Sequence, residues 1–170
     1  VIYLYERPYE KDTVEEEKWL SLMAESASRV LNVPEKRIIK KMRKSQKGLS
    51  QYEKNVGERD VKGLVYEQGE IFSVDLSSYI DTGLFLDHRP TRLLVKEEAS
   101  QKRVLNLFCY TGSFSVYAAE GGASYVESVD LSNTYLSWAK ENMTLNGFSD
   151  EKKYIFIKSD AVSWLSTKLK

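Results

Sequence analysis

Val104-Leu105-Asn106-Leu107-Phe108-Cys109-Tyr110-Thr111-Gly112-Ser113 passes from an apolar run through a tight turn into a polar helix start, and the fold follows from it. Val104–Phe108 reads as a buried strand, and Ser113–Glu120 as a short helix ended by Gly121-Gly122. The same rhythm then repeats twice. Tyr125–Asp130 is a second strand, after which Ser132 caps a helix whose inner face is Tyr135, Leu136, Ala139 and Met143, stopping at Asn146-Gly147. Tyr154–Asp160 is a third strand and Ala161–Leu169 a third helix. Strands that alternate with helices require a parallel sheet, because each crossover returns the chain to the same edge. Three such units predict the N-terminal half of a Rossmann-like α/β sheet, assigned to residues 78–170.

Working toward the N-terminus, the pattern becomes that of a small basic α+β domain, assigned to residues 1–77. Residues 1–7 read as a strand. Thr13-Val14-Glu15-Glu16 has the form of a capping box, and Leu20, Met23, Ala24, Ala27, Val30 and Leu31 recur behind it at helical spacing, with Asn32 and Pro34 closing the helix. A basic strand-like stretch runs from Lys36 to Lys47, followed by a polar segment to about Lys62. Gly63–Glu67 and Glu70–Leu76 form a hairpin around Gln68-Gly69, with Phe72, Val74 and Leu76 on one face.

The bulk numbers exclude several classes. Lys plus Arg equals Asp plus Glu at 25 each in 170 residues, so no net charge pulls the chain toward nucleic acid or membrane. Hydrophobic residues at 42% and charged residues at 29% describe a globular mixture. One cysteine cannot form an internal disulfide, which fits a reducing compartment. No apolar run approaches the roughly 20 residues of a membrane span, so a cytoplasmic location is expected. No metal site is expected. Val1 opens inside an alternating apolar run and the last helix leads nowhere, so both ends read as cut.

In an open parallel sheet, ligands sit beyond the carboxyl ends of the strands. The first strand ends in a turn feeding a helix start, where free amides can hold the carboxylate of an amino-acid tail. The second ends in Asp130, 18 positions after Gly112, where a carboxylate can accept two ribose hydroxyls. The third ends in Asp160, placed to accept from an exocyclic adenine amine. An Asp at a strand end is commonly just a helix cap; three tips in order at βαβ spacing point to an adenosine-containing ligand. A dinucleotide site would carry G-x-G-x-x-G, but Phe108 and Tyr110 stand at the first two glycine positions and only Gly112 remains. Two aromatics crowd out a pyrophosphate, yet suit a methionine-type tail whose sulfonium an aromatic face attracts.

Asn106 to Val116, Ser128-Val-Asp-Leu-Ser132 and Asn142-Met-Thr-Leu-Asn-Gly147 resemble the S-adenosylmethionine-dependent RNA methyltransferases that make 5-methylcytosine or N7-methylguanine in ribosomal RNA. The closest likeness is to the N7-methylguanine half of the bifunctional bacterial enzymes acting on 23S rRNA. Asp81-Thr-Gly-Leu-Phe-Leu-Asp-His-Arg89 looks like the loop that precedes the core in that group. Gln46-Lys-Gly48, Gln51-Tyr-Glu-Lys54 and Tyr135 to Asn142 fit it as well. The resemblance implies S-adenosylmethionine as donor, ribosomal RNA as acceptor, and a cofactor set of Phe85, Asp87, Arg89, Asn106, Phe108, Tyr110, Thr111, Gly112, Asp130, Leu131, Asp160 and Ala161. Within that set Phe85, Asp87 and Arg89 would flank the methionine end, Thr111 and Gly112 hold its carboxylate, Asp130 the ribose and Asp160 the adenine. Asp87 and Arg89 could equally form a capped helix start with a local ion pair, and His88 reads as a cap or surface residue. The group's Asp-Pro-Pro catalytic segment is absent, since the only prolines are Pro8, Pro34 and Pro90. The catalytic residues are therefore expected beyond Lys170, and the chain alone is expected to be inactive.

Guanine N7 offers a free lone pair, whereas carbon-5 of cytosine needs a thiolate to add to the ring first. Cys109, in the cofactor turn, reads as an inert packed thiol, which favours N7-guanine; 5-methylcytosine formation and a non-catalytic RNA-binding piece are the alternatives. Lys36, Arg37, Lys40, Lys41, Arg43, Lys44 and Lys47 fall within twelve residues without an acid. On a strand they could follow a phosphate backbone, with Tyr52 stacking on bases, or serve as a solvated edge guarded by lysines; the reading leans to RNA. The exposed edge of a half-sheet argues for self-association or for a missing partner segment, and the oligomeric state is left open.

Overall fold

The computed structural model of the chain describes residues 1–9, 12–41, 61–79 and 81–168, with the backbone alone at Lys41. It divides into two compact units, Val1–Glu53 and Lys54–Lys170. In the first, β1 (Ile2–Tyr5) pairs in parallel with β2 (Ile38–Lys41), Ile2 opposite Ile38. Between them in sequence runs α1 (Thr13–Leu31), which buries Leu20 and Ala24. Its cap lies one residue before the expected box: Asp12 accepts the N–H groups of Val14 (2.9 Å) and Glu15 (3.1 Å). Glu16 does not reach back to the cap. It is fully buried and takes the Arg7 backbone N–H and Nε at 2.8 Å each, so the carboxylate enters the interior with its charge matched. Asn32 ends the helix in the left-handed region at φ 51°, as a C-cap asparagine can.

The basic stretch differs from the expected strand at its start. Glu35–Arg37 is a 3₁₀ turn, so Lys36 and Arg37 do not share a strand face with Lys40. Arg43, Lys44, Lys47, Tyr52 and the Gln46–Gly48 and Gln51–Lys54 motifs lie outside the described residues.

In the second unit β3 (Lys62–Glu67) and β4 (Glu70–Asp75) form the expected antiparallel hairpin. Gln68 and Gly69 have φ 53° and 98°, the two positive angles of a type I′ turn. A helix begins at Arg89, as the alternative of a helix start at Asp87 and Arg89 allowed: α2 (Arg89–Glu98), with Pro90 in its first turn. Then come β5 (Arg103–Leu107), α3 (Ser113–Glu120), β6 (Tyr125–Asp130), α4 (Asn133–Leu145), β7 (Tyr154–Lys158) and α5 (Ala161–Lys168). The three strands make a parallel sheet in the order β5-β6-β7, Val104 opposite Val126 and Val126 opposite Tyr154. This is the expected Rossmann-like half-sheet.

The division near residue 77 is not where this unit begins. Phe72 and Val74 of the hairpin share one core with Leu84, Val116, Tyr117, Val126 and Met143, and the Phe72 and Tyr117 rings stack 6.2 Å apart. Helix α4 also supplies the hydrogen bonds that a further strand would give β4. Asn146 accepts the Ile71 N–H and donates to the Ile71 carbonyl (both 2.8 Å), while Asn142 accepts the Ser73 N–H (2.9 Å) and Trp138 Nε1 donates to the Ser73 carbonyl (3.0 Å). Residues 138, 142 and 146 are one i, i+4 stripe, which is why a helix can line a strand edge at alternate residues. Among the described residues no helix is long and apolar enough to cross a membrane.

Candidate cofactor site

Backbone bonds gather the carboxyl ends of the three parallel strands. Cys109 N–H donates to the Val129 carbonyl and Ser159 N–H to the Asp130 carbonyl, both at 3.0 Å. Asp130 occupies the middle tip. Its Oδ2 accepts the Tyr110 N–H and its Oδ1 the Ser132 N–H, each at 2.9 Å. A carboxylate has about four acceptor positions. Two backbone donors therefore fix its orientation and leave acceptor capacity for a diol.

The turn from β5 to α3 carries three left-handed residues in alternation: Phe108 at φ 53°, Tyr110 at 51° and Gly112 at 74°. The first two are the positions at which a dinucleotide loop places its first two glycines, so the backbone there keeps a glycine-like path although both residues are aromatic. For a bulky residue that conformation costs about 1–2 kcal/mol, and such strain concentrates at functional sites. Gly112 is required twice over. Besides its φ, a Cβ there would lie 2.7 Å from the Ala139 Cβ, because α4 crosses against the turn. The Phe108 ring is 74% exposed, so packing does not offset its strain. Tyr110 is instead ringed by aromatics, with Tyr135 at 4.5 Å, Phe85 at 5.2 Å and Trp138 at 6.5 Å. Its buried hydroxyl faces the Gly83 backbone without a hydrogen bond of good geometry among the described residues. Burial, then the neighbouring Tyr135 and Asp81, push that phenol above its ordinary range.

The loop at 81–88 is fastened to this turn. Thr111 Oγ1 donates to the Gly83 carbonyl at 2.6 Å, and a Cβ on Gly83 would land in the Trp138 ring. The Thr111 hydroxyl is thus committed to the loop. Asn142 Nδ2 holds the Thr111 carbonyl at 2.8 Å. Asn106 is likewise engaged: its Nδ2 donates to Ser115 Oγ (2.9 Å), which meets Ser128 Oγ (2.7 Å) between sheet and helix.

Of the remaining expected residues, Phe85 is brought to the turn through its ring. Asp87 is 75% exposed, with His88 Nε2 at 3.8 Å. Arg89 forms its ion pair with Glu67 of the hairpin, Nε to Oε2 at 2.9 Å, and not with Asp87. Leu131 is exposed beside Asp130, and Ala161 is buried at the start of α5. Asp160 accepts the Ser163 N–H at 2.8 Å, the helix-cap role that an aspartate after a strand commonly takes. Cys109 is buried, and burial followed by the Asp130 charge pushes its thiol far above the ordinary range, so it is no nucleophile. Arg92, one helical turn after Arg89, carries no sequence signal of its fully buried place, where its Nη1 donates to the Phe85 carbonyl at 2.9 Å.

Comparison with known proteins fits this geometry. Ribosomal RNA large subunit methyltransferase K/L of Magnetococcus marinus is 54% identical over 138 residues, 81% of this chain and 19% of that protein. Ribosomal RNA large subunit methyltransferase K of Neisseria meningitidis is 50% identical over 153 residues, 90% of this chain and 43% of that protein. The chain therefore spans less than half the length of either relative. A solved structure described as a SAM-dependent methyltransferase from Streptococcus mutans superposes with a TM-score of 0.70 at 26% identity, covering 90% of this chain and 39% of that one. The model of the S-adenosylmethionine-dependent methyltransferase family matches residues 26–168, from within α1 to the end of α5. With the strand tips, the acidic middle tip and the fastened turn all inside that span, the chain belongs to the S-adenosylmethionine-dependent methyltransferase family.

Proposed function

We propose that this chain is the cofactor-holding part of a ribosomal RNA methyltransferase, that S-adenosylmethionine lies across the tips of β5, β6 and β7, and that guanine N7 of 23S rRNA is the acceptor. One observation carries the reading: Asp130, held by two backbone N–H groups with acceptor capacity to spare, stands between a strained aromatic turn and the β7 tip. The residues fit the cofactor. Asp130 suits the ribose diol, exposed Leu131 and Val162 offer apolar surface to an adenine, and the buried Tyr110 hydroxyl, facing the Gly83 backbone, supplies a polar group at the turn. Phe85, Asp87, Arg89, Phe108, Thr111, Gly112, Asp160 and Ala161 complete the proposed set, with Asn106 shaping the turn from behind. When bound, the cofactor supplies an activated methyl group, and the protein's part is alignment and exclusion of water rather than acid–base work. The inert Cys109 favours an acceptor atom with a free lone pair over carbon-5 of cytosine, and the names of the relatives, rRNA methyltransferases of the large subunit, support ribosomal RNA as the acceptor molecule.

The test is titration calorimetry of this chain with S-adenosylmethionine. Saturable one-to-one binding that Asp130→Ala weakens is expected, and no heat at millimolar ligand would end the reading.

For the RNA partner, Lys36 and Arg37 are exposed in their turn and Lys40 is exposed on β2, its Nζ donating to Ser21 Oγ at 3.0 Å. Together with Lys41, Arg43, Lys44 and Lys47 they supply the phosphate-binding charge in our reading. Changing Lys40, Lys41 and Lys44 to Glu should weaken binding to a 23S rRNA fragment and reduce the slope of log K against log salt by about 0.7–0.9 for each phosphate left unneutralised. An unchanged slope would remove this stretch from the interface.

A further inference from the structure

Arg92 is the largest fully buried side chain of the second unit, and a buried guanidinium is tolerated only when its charge and donors are matched. Glu67 at the end of β3 takes two of them: Arg92 Nε donates to Oε1 at 2.9 Å and Nη2 to Oε2 at 3.0 Å. The Tyr117 hydroxyl adds a third bond to Glu67, at 3.0 Å. That arrangement would suffice for a structural ion pair. The remaining arm does something else: Nη1 donates to the Phe85 carbonyl at 2.9 Å. Phe85 is 45% exposed, so the packing of its ring fixes it only in part. That ring lies 5.2 Å from Tyr110, whose N–H holds Asp130.

We propose that Arg92 is a positioning residue for the cofactor site, holding the Phe85 ring over the Tyr110 turn by its hydrogen bond to the Phe85 carbonyl. The loop then has two pins, Thr111 on Gly83 and Arg92 on Phe85, and the second is anchored in the hairpin through Glu67. The planar fork of arginine is needed for this. It meets a carboxylate with two donors and directs a further one elsewhere, whereas a lysine ammonium beside Glu67 has no second arm to reach the carbonyl. Arg89, more than half exposed, shares Glu67 Oε2 with Arg92 and adds charge there.

The inference rests on the S-adenosylmethionine reading, and a four-protein cycle separates the two. The chain, Arg92→Lys, Phe85→Ala and the double variant are titrated calorimetrically with S-adenosylmethionine, with a thermal melt of each. Arg92→Lys keeps a cation beside Glu67 and is expected to bind about three- to tenfold more weakly, with the double variant no weaker than Phe85→Ala alone, the non-additivity of residues acting as one unit. Should Arg92→Lys not fold, Glu67→Gln, isosteric and still an acceptor, replaces it in the same cycle. Losses that multiply, or an Arg92→Lys protein that melts lower yet binds as tightly as the parent, would reduce Arg92 to a structural ion pair. A parent chain that binds no cofactor would overturn the cofactor reading itself, and this proposal with it.

Discussion

An aspartate follows each of the last two parallel strands toward the next helix, Asp130 as the final residue of β6 and Asp160 two residues past the end of β7, and the structure uses them differently. Asp130 turns its carboxylate across the sheet, to the Tyr110 N–H of the neighbouring tip and to Ser132. The cap of the following helix passes to Ser132, whose hydroxyl accepts the Tyr135 N–H at 3.3 Å. Asp160 has no such deputy and caps α5 itself through Ser163. An aspartate relieved of capping by a serine two residues on is free to serve the site. One that must cap is oriented by its own helix first. The difference ranks the two residues: Asp130 as the primary cofactor acceptor, Asp160 as a secondary one.

The largest effect that could break this ranking is on affinity. Asp130→Ala removes the acceptor of two backbone donors and of the proposed ribose contact. It should cost about 1–3 kcal/mol of S-adenosylmethionine binding, read by calorimetry, with a visible loss of stability as the β5 and β6 tips part. Asp160→Ala should lower the melting temperature slightly and weaken cofactor binding less than Asp130→Ala does; an equal or greater loss of affinity would invert the ranking. A pH series sharpens the point. The Ser163 hydrogen bond holds the Asp160 carboxyl below the ordinary value of 3.8. Its contribution to stability is therefore complete above that value and lost as pH falls through the lower folded one. Asp160→Asn should flatten this acid limb of the melting curve.

The second half of the chain was legible because each strand there is a short apolar run punctuated by a cap or a glycine, and α3, β6 and α4 begin and end where those signals stand. The unit boundary was not legible. It depends on Phe72 stacking on Tyr117 and on Asn142 and Asn146 bonding to β4, the latter across 69 and 75 positions of sequence, and such contacts carry no local signal. Helix α2 was legible only at its start, as the capped helix that Asp87 and Arg89 allowed; its extent was not, because Arg92, the residue it buries, is charged. Within the site, position could be read from strand order but hydrogen-bond commitment could not. Thr111 and Asn106 lie at the turn and spend their side chains on Gly83 and Ser115, and Arg89 spends its own on Glu67 of the hairpin.

The smallest predicted effect concerns the tip of β5, whose conformation decides whether Tyr110 can reach Asp130 at all. Phe108 holds a left-handed φ with its ring mostly in solvent, a cost without a visible return in the free protein. Comparing Phe108→Ala with Phe108→Gly isolates that cost. Both remove the ring, but only glycine removes the Cβ that makes φ 53° unfavourable. Glycine also gives the unfolded chain more freedom, which offsets part of the relief. Phe108→Gly should therefore melt above Phe108→Ala by an amount worth about 0.5–1 kcal/mol, while the two bind S-adenosylmethionine equally and more weakly than the parent. If alanine proves as stable as glycine, the turn is not strained at this position and relaxes when the ring is gone. If both variants bind as tightly as the parent, the exposed ring has no part in holding the cofactor, and the strained turn serves only to aim the Tyr110 N–H at Asp130.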